Sequence, residues 1–281
     1  MRIDELLKGA YERLNFISNS AQLDAQLLLA HVLGVATSYF YTWPDKVLED
    51  SLAAEFDQLI CRREAGEPIA YIIRHQAFWT LDLEVSSCTL IPRPDTERLV
   101  EIALTLIDPT INNRILDLGT GTGAIALALA SESLSSTVIG VDLVDEAVAL
   151  ARRNAELNRL NVEFIQSSWF DQLDANCVFD MIVSNPPYID PDDEHLAQGD
   201  VRFEPKTALI SEQHGLADIF HIINVAPAYL SAEAFLVFEH GYDQAARVRE
   251  AFLEKGYTDV KSYQDLGGND RVTKGRKPKG E

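Results

Sequence analysis

An alternation of buried strands and helices beginning at Arg114 constrains the fold of this chain most. The pattern runs strand 114–118, helix 123–131, strand 137–141, helix 145–158, strand 162–166 and strand 179–184. It continues with helix 216–230, strand 235–239, helix 244–255 and strand 259–263, and it closes in a hairpin at 270–272. Such alternation is typical of a mainly parallel sheet covered by helices on both faces. The sequence therefore predicts an α/β domain.

The first 75 residues carry a different pattern, with apolar residues at helical spacings of three and four. Ser18 or Ser20 is expected to cap a helix from Ala21 to Val32, and another helix is predicted from Glu49 to Arg63. No catalytic pattern is visible in this stretch. We predict a small helical domain at residues 1–75, with substrate recognition as the hypothesis for its role.

Residues 76–92 hold short aromatic and β-branched runs, which predict a β-hairpin linker. Two prolines then keep the backbone extended until Asp95 or Thr96 caps a helix that reaches about Ile107. The second domain is expected to span residues 93–281.

The formal net charge is −20, from 24 basic and 44 acidic side chains. Proteins that bind nucleic acid draw much of their affinity from basic groups on phosphates, so this charge argues against such a partner. The basic run 274–279 is expected to be a frayed, solvated tail. No apolar stretch is long enough to cross a bilayer and no signal peptide precedes the first helix, so we expect a cytoplasmic protein without a membrane partner. Three widely spaced cysteines and six dispersed histidines predict neither disulfides nor a metal site.

A glycine-rich loop joins the first strand of the α/β pattern to its helix. Gly119, Gly121 and Gly123 alternate with Thr120 and Thr122, so the backbone can turn tightly and approach a ligand closely.

An acid at the end of the following strand, Asp142, can accept hydrogen bonds from both ribose hydroxyls of an adenosine. The ligands that fit this pattern are dinucleotides and S-adenosyl-L-methionine. The loop is one residue shorter than the dinucleotide fingerprint, and Asp117 would suit a cationic ligand better than a pyrophosphate. Both details favour S-adenosyl-L-methionine.

A second motif, Asn185-Pro186-Pro187-Tyr188, follows the strand 179–184. The residue before a proline is held in an extended conformation, and prolines have no amide hydrogen. The turn therefore offers carbonyl oxygens that suit a planar NH2 group, although such a motif can also be no more than a rigid turn after a buried strand. Because Gly119, Asp142 and Asn185 all follow parallel strands, we expect them to line one crevice.

Several segments together resemble the PrmC/HemK family of methyltransferases, and the resemblance covers nearly the whole chain. The segments are Glu67-Pro-Ile-Ala-Tyr71, Phe78-Trp79, Leu90-Ile-Pro-Arg-Pro-Asp-Thr-Glu97, Asn185-Pro-Pro-Tyr-Ile189, Arg202-Phe-Glu-Pro205 and Glu239-His-Gly241. The resemblance implies a Rossmann-like domain with a seven-stranded mixed sheet, preceded by a small helical bundle. It also implies methylation of the glutamine side-chain amide in the Gly-Gly-Gln loop of class 1 peptide-chain release factors. One departure is Ile73-Arg74, where the family commonly has a small residue followed by glycine.

The resemblance also implies roles for individual residues. The loop from Gly119 to Gly123 would hold the methionine portion of S-adenosyl-L-methionine, Asp142 its ribose, and Trp169 would lie near its adenine. The segment from Asn185 to Tyr188 would hold the substrate amide. We expect the Asn185 side-chain oxygen and the Pro186 carbonyl to accept the two amide hydrogens, and Tyr188 to pack against the amide plane.

Two alternatives are a nucleic-acid amino-methyltransferase, which the acidic charge disfavours, and a non-catalytic cofactor-binding module, which has no use for an amide-binding turn. A monomer acting on a protein is the favoured interpretation.

Overall fold

A computed structural model describes residues 1–108 and 110–279 and divides the chain into two compact units. The first contains Met1–His75 together with His195–Phe203, and the second contains Gln76–Glu194 and the chain from Glu204 onward. The sequence interpretation places all of residues 93–281 in one domain, whereas this division counts the segment 195–203 with the first unit. Residues 109, 280 and 281, which that domain includes, lie outside the described residues.

The first unit is a small helical bundle. Its helices are α1 (Ile3–Leu14), α2 (Ala21–Leu33), α3 (Tyr39–Thr42), α4 (Asp50–Glu64) and α5 (Ile69–Ile73). Leucine, isoleucine and phenylalanine side chains from α1, α2 and α4 form its buried core. Helices α3 and α5 are too short to give a helical period, which is why the sequence pattern does not predict them.

Ser20 lies at the expected position before α2, but neither serine caps the helix with its side chain, contrary to the prediction. Ser20 precedes the helix, but its hydroxyl and that of Ser18 both donate to the buried Asp24 carboxylate at 2.8 Å. A carboxylate is a stronger acceptor than a neutral group, and Asp24 also needs partners because it is buried. Arg74 directly follows helix α5, and its φ of 61° is the left-handed conformation that favours glycine. The departure from the family pattern therefore falls at a position where glycine would be the less strained residue.

Segment 195–203 is held in the first unit by Arg63. The Arg63 guanidinium donates to Asp24 at 2.9 Å and to Asp200 at 3.0 Å. Arg202, from the same segment, donates to the Ala65 carbonyl at 3.3 Å. Two short 3₁₀ helices, Glu194–Ala197 and Gly199–Phe203, shape the segment. Local sequence patterns do not indicate that the chain returns to the first unit here, because the ion-pair partners Arg63 and Asp200 are 137 residues apart.

The second unit is a helix-covered sheet. Its strands are β1 (His75–Phe78), β2 (Leu81–Glu84), β3 (Arg114–Leu118), β4 (Thr137–Asp142), β5 (Glu163–Gln166), β6 (Phe179–Ser184), β7 (Leu230–Glu239), β8 (Thr258–Gln264) and β9 (Asp270–Arg276). Its helices are α6 (Pro94–Leu106), α7 (Ala124–Glu132), α8 (Asp145–Asn158), α9 (Glu212–Gly215), α10 (Ala217–Val225) and α11 (Ala245–Glu254). Strands β1 and β2 form the predicted hairpin.

The predicted seven-stranded mixed sheet is confirmed, with strand order β5-β4-β3-β6-β7-β9-β8. Strands β3 to β7 run parallel, whereas β9 pairs antiparallel with both β7 and β8. Successive strand residues point to opposite faces, so Ile115 packs into one apolar core and Leu116 into another. The strand order reverses between β3 and β6, and in such sheets the crevice at this point is where ligands bind.

The basic run 274–279 is not a frayed tail, contrary to the prediction. Residues 274–276 belong to β9, and the buried Lys274 ammonium pairs with the Asp259 carboxylate. Lys277 donates to the carbonyls of Pro227 at 2.7 Å and Leu230 at 2.6 Å. The basic side chains are therefore used within the fold. Among the described residues no helix has both the length and the apolar character needed to cross a membrane.

Candidate functional site

A cavity of about 220 Å³ opens at the carboxyl ends of β3, β4 and β6. Gly119, Asp142 and Asn185, which follow or end these strands, all line it, as the strand order requires. The Ser184 hydroxyl donates to the Leu118 carbonyl at 2.7 Å and so joins the ends of β6 and β3. The glycine loop and the Asn-Pro-Pro-Tyr turn therefore share one cavity.

The glycine loop depends on backbone conformations that other residues rarely adopt. Gly119, Gly121 and Gly123 have φ values of 69°, 55° and 84°. A Cβ on Gly123 would also lie 3.1 Å from Phe164 and 3.2 Å from Ala151, whereas one on Gly121 would meet nothing closer than 3.8 Å. Both the backbone conformation and the surrounding side chains therefore require glycine at position 123.

Asp117 lies beneath this loop and is fully buried. One of its oxygens, Oδ2, accepts a hydrogen bond from the Thr120 hydroxyl at 2.6 Å, while Oδ1 is buried without a hydrogen-bond partner among the described residues. Burial raises the pKa of Asp117 to about 7, against the opposing effect of the Thr120 hydrogen bond. This carboxyl is poised to change its charge near neutral pH.

Asp142 presents its carboxylate at the cavity. Its Oδ2 accepts from the Gly121 amide at 2.8 Å, and its Oδ1 accepts from the Val144 amide at 2.9 Å. Burial raises its pKa, and these backbone hydrogen bonds oppose the rise. Each carboxylate oxygen has a further lone pair, so Asp142 can still accept hydrogen bonds from a pair of ligand hydroxyls.

Trp169 forms an apolar part of the cavity lining. Its φ of 49° is left-handed, an uncommon conformation for a bulky residue. The indole ring lies beside the loop, because a Cβ on Gly119 would be 3.5 Å from it. An aromatic face in the cavity lining suits a flat heteroaromatic ligand.

The side-chain amide of Asn185 is held in one orientation. Its Nδ2 donates to the Thr96 hydroxyl at 3.1 Å. The nitrogen and oxygen of an amide point to opposite sides, so this contact turns Oδ1 away from Thr96. Thr96 lines the cavity and lies in the first turn of α6, which begins at Pro94 after Arg93. The expectation that Asp95 or Thr96 caps this helix is therefore wrong, since the proline comes first.

Tyr188 and Glu239 lie behind the turn. The Tyr188 hydroxyl donates to Oε1 of Glu239 at 3.0 Å, and Oε2 is buried without a hydrogen-bond partner among the described residues. Burial raises the pKa of Glu239, while hydrogen bonds from Thr96 and Tyr188 and the nearby Arg271 charge lower it. Burial and the Glu239 charge together raise the pKa of Tyr188 well above its ordinary value, so this phenol stays protonated.

Arg93, between the two prolines of the Ile91–Glu97 motif, has a structural partner. Its guanidinium contacts both carboxylate oxygens of Glu204 at 2.7 and 2.8 Å. The Glu204 side chain is fully buried, so this pair neutralises a buried charge. Two motifs that are far apart in the sequence, Ile91–Glu97 and Arg202–Pro205, are thereby joined.

The structure separates the predicted site residues into two groups. Those that line the cavity are Gly119, Thr120, Gly121, Thr122, Asp142, Trp169, Asn185 and Pro187. Among the described residues the lining does not include Asp117, Gly123, Pro186 or Tyr188.

Residues that sequence reasoning missed also line the cavity: Cys88, Thr89, Leu90, Pro92, Thr96, Ser167, Ser168, Thr207, Ala208 and Asp218. Leu90, Pro92 and Thr96 belong to the segment Leu90–Glu97, one of those that carry the family resemblance, and this was the available signal for them.

Two family models match the chain. The model described as PrmC N-terminal domain matches residues 5–73, and that described as methyltransferase small domain matches residues 98–202. A protein from Aliivibrio fischeri named release factor glutamine methyltransferase is 53% identical over 98% of both chains. A protein of the same name from Vibrio cholerae is 53% identical over 98% of this chain and 96% of its own. A solved methyltransferase structure from Pyrococcus furiosus covers 79% of this chain and 98% of its own, with a TM-score of 0.55 and 20% identity, which supports the fold alone.

Proposed function

This chain belongs to the release factor glutamine methyltransferase family, and we propose that it methylates the side-chain amide nitrogen of the glutamine in the Gly-Gly-Gln loop of class 1 peptide-chain release factors, with S-adenosyl-L-methionine as the methyl donor. One observation carries the proposal. The glycine loop and the Asn185 turn line the same cavity, so a cofactor on one side faces an amide on the other.

The residues of the cavity fit S-adenosyl-L-methionine. Asp142 offers free lone pairs for ribose hydroxyls, and the indole of Trp169 offers a face for adenine. The glycines keep side chains away from the loop, so a ligand can approach its backbone closely, and the carboxyl of Asp117 lies buried beneath the loop, where its charged form would favour a cationic amino acid. When bound, this cofactor supplies an electrophilic methyl group on a sulfonium.

The chemical task of the protein is to direct an unreactive nitrogen. The lone pair of an amide nitrogen is delocalised into its carbonyl, so the amide is a poor nucleophile. In the proposal, Oδ1 of Asn185 and the carbonyl of Pro186 accept the two amide hydrogens and aim the nitrogen into the cavity. The same two acceptors stabilise the positive charge that develops on that nitrogen, and the methylated amide becomes neutral by releasing one of its two protons to water. Tyr188, held by Glu239, supports the turn from behind.

The substitution Asn185→Ala tests this role. It removes one of the two acceptors, so we expect kcat to fall by about 100-fold or more, as for loss of one transition-state hydrogen bond in other enzymes. Cofactor affinity is expected to change little, because the glycine loop and Asp142 remain. Transfer of labelled methyl groups to release factor measures kcat, and calorimetry measures cofactor binding.

The matched control is Asn224→Ala, an exposed asparagine on α10. Parallel reactions contain wild-type release factor, release factor with its loop glutamine changed to alanine, or RNA. Label only in the wild-type release factor supports the proposal. Label in RNA, or unchanged turnover by Asn185→Ala, would contradict it.

A further inference from the structure

Gln244, directly before helix α11, has a side-chain amide that binds backbone groups with both of its polar atoms. Its Oε1 accepts from the Gly241 amide at 2.8 Å. Its Nε2 donates to the Tyr188 carbonyl at 2.9 Å and to the His214 carbonyl at 3.1 Å. Gln244 is buried, so water cannot readily replace these partners. One side chain therefore joins the last residue of the Asn-Pro-Pro-Tyr turn to helix α9 and to the loop after β7.

The orientation of this amide follows from its partners. A backbone N–H only donates and a backbone carbonyl only accepts, so Oε1 must face Gly241 and Nε2 must face the two carbonyls. Both hydrogens of Nε2 are then used, one on each carbonyl. A glutamate of the same shape would keep the acceptor and lose donors, and a methionine would lose all three hydrogen bonds.

Helix α9 lies close against the same carbonyl. A Cβ on Gly215 would be 2.0 Å from the Tyr188 carbonyl oxygen and 2.7 Å from Nε2 of Gln244. Gly215 has a φ of 77°, and Gln213 and His214 before it have φ values of 56° and 60°. Left-handed backbone at non-glycine residues persists only where the surroundings hold it, and the hydrogen bond from Gln244 to the His214 carbonyl is one such contact. The amide thus holds the Tyr188 carbonyl at a point where the backbone of α9 leaves no room for a side chain.

The turn itself has few groups that could fix its position. Pro186 and Pro187 have no amide hydrogen, so neither can donate a backbone hydrogen bond. Tyr188, the next residue, is held from outside the turn, by Gln244 at its carbonyl and by Glu239 at its hydroxyl. Because the proline rings are rigid, a shift of Tyr188 would also displace the acceptors that hold the substrate amide.

We propose that Gln244 is a positioning residue, which fixes the turn Asn185–Tyr188 by binding its last carbonyl. This inference rests on the proposed function, because it concerns how the substrate amide is held. Among the described residues the cavity lining does not include Gln244, so its effect on the reaction passes through the turn.

The substitutions Gln244→Met and Gln244→Glu test this role. Methionine removes all three hydrogen bonds, whereas glutamate keeps an acceptor for Gly241 and, ionised or protonated, offers fewer than two donors to the carbonyls. We expect each variant to lower kcat on release factor by about 10- to 100-fold, on the order of the cost of a misplaced reacting group. Cofactor affinity, measured by calorimetry without substrate, is expected to stay within about twofold, because the glycine loop and Asp142 are unchanged.

The matched control is Asn113→Leu. Asn113 is also a buried amide that holds backbone carbonyls, since its Nδ2 donates to Asp108 at 2.7 Å and to Ile111 at 3.2 Å. It directly precedes β3 and so lies at the edge of the sheet opposite the cavity. Asn113→Leu is expected to lower stability and to leave kcat within about twofold when both are measured well below the unfolding temperature. A residue that only stabilises the fold would give this same result at position 244.

An Asn185→Ala background shows whether Gln244 acts through the turn. One of the two acceptors is already absent there, so Gln244→Met should lower kcat by a smaller factor than it does in the wild type.

The outcomes are distinct. Wild-type kcat in Gln244→Met, or a loss no greater than that in Asn113→Leu, would overturn the inference, as would an undiminished effect in the Asn185→Ala background. If Gln244→Met does not fold, the same comparisons with Gln244→Glu decide alone. Failure of the wild-type protein to methylate release factor would instead overturn the proposed function.

Discussion

Single residues in the site differ chiefly in how far they are buried. Asp117 and Asp142 both follow from the sequence as acids near the glycine loop, yet only Asp142 lines the cavity. Asp117 is sealed beneath the loop with one oxygen unpartnered, and its pKa rises to about 7. Asn185 differs again, because its role depends on orientation as well as position. A site residue must therefore have the right type, the right exposure and the right side-chain orientation. Motif spacing in the sequence predicts only which residue types are present.

The raised pKa of Asp117 makes the stability of the cofactor-free protein dependent on pH. The folded protein keeps a proton on this carboxyl up to a pH of about 7, whereas the unfolded chain releases it near its ordinary value of 3.8. The contribution of the protonated carboxyl is fully present below the unfolded pKa and is lost as pH rises through the folded one. Relative to Asp117→Asn, which cannot ionise, the wild type should lose at most about 1.4 kcal/mol per pH unit between these values.

Urea denaturation of both proteins from pH 4 to pH 8 measures this difference. The free energies of unfolding are expected to diverge up to a pH of about 7 and to run parallel above it. Parallel curves over the whole range would show that folding does not raise the pKa of Asp117 above its value in the unfolded chain.

Secondary-structure elements were predictable where a single local pattern determines them. Strands β3 and β6 and helix α8 have the bounds that the sequence predicts, because each is a run of one period with clear ends. Strand β7 begins at Leu230 rather than at residue 235. Residues 231–234, Ser-Ala-Glu-Ala, have little strand preference, and the sheet extends through them with an irregularity opposite β6. The basic run 274–276 likewise becomes strand because β7 and β8 pair with it.

The same distinction applies to the candidate site. The glycine loop, Asp142 and Asn185 each lie at the end of a predicted strand, so the sequence brings them to one edge of the sheet. Thr96 lies 89 residues from Asn185, and only the packed fold brings the two together. Contacts between distant helices and loops leave no periodic pattern in a sequence, and the contact between Thr96 and Asn185 was therefore not predicted.

The turn between β3 and α7 allows strain and crowding to be separated. Gly121→Ala introduces a left-handed alanine whose Cβ would meet nothing closer than 3.8 Å, and it should cost about 1 kcal/mol of stability. Gly123→Ala adds contacts of 3.1–3.3 Å with Phe164, Ala151 and Leu127, so overpacking should raise its total cost to roughly 2–4 kcal/mol. Thermal and urea unfolding of the two variants measure the difference. Equal costs would mean that the surrounding side chains move aside at no cost, contrary to the expectation.

The whole chain is organised as two units, and the first of them is built from two separate stretches of the sequence. The segment 195–203 lies between two stretches of the second unit in sequence, yet it is counted with the first. Arg63 is central to this arrangement, because its buried guanidinium joins Asp24 on α2 to Asp200 in the returning segment. It also donates to the Gly66 and Glu67 carbonyls at 3.4 and 3.2 Å. One arginine thus organises a polar cluster inside the helical unit.

The two carboxylate partners of Arg63 should contribute very differently to stability. The Asp24 side chain is 6% exposed and the Asp200 side chain 41%, so water compensates for a lost partner only at Asp200. Arg63→Met leaves the Asp24 charge buried with serine hydroxyls alone, and we expect it to cost about 3–5 kcal/mol. Asp200→Asn removes a half-exposed charge and should cost less than about 1 kcal/mol.

Urea denaturation followed by circular dichroism compares these two variants with the wild type. The decisive comparison is between Arg63→Met and the double variant Arg63→Met/Asp24→Asn, which has neither charge of this ion pair. Recovery of part of the lost stability in that double variant is expected, because the cost of Arg63→Met arises mainly from the stranded carboxylate. A double variant that is no more stable than Arg63→Met would contradict this expectation. The guanidinium would then stabilise the unit chiefly through its contacts with backbone carbonyls and the returning segment.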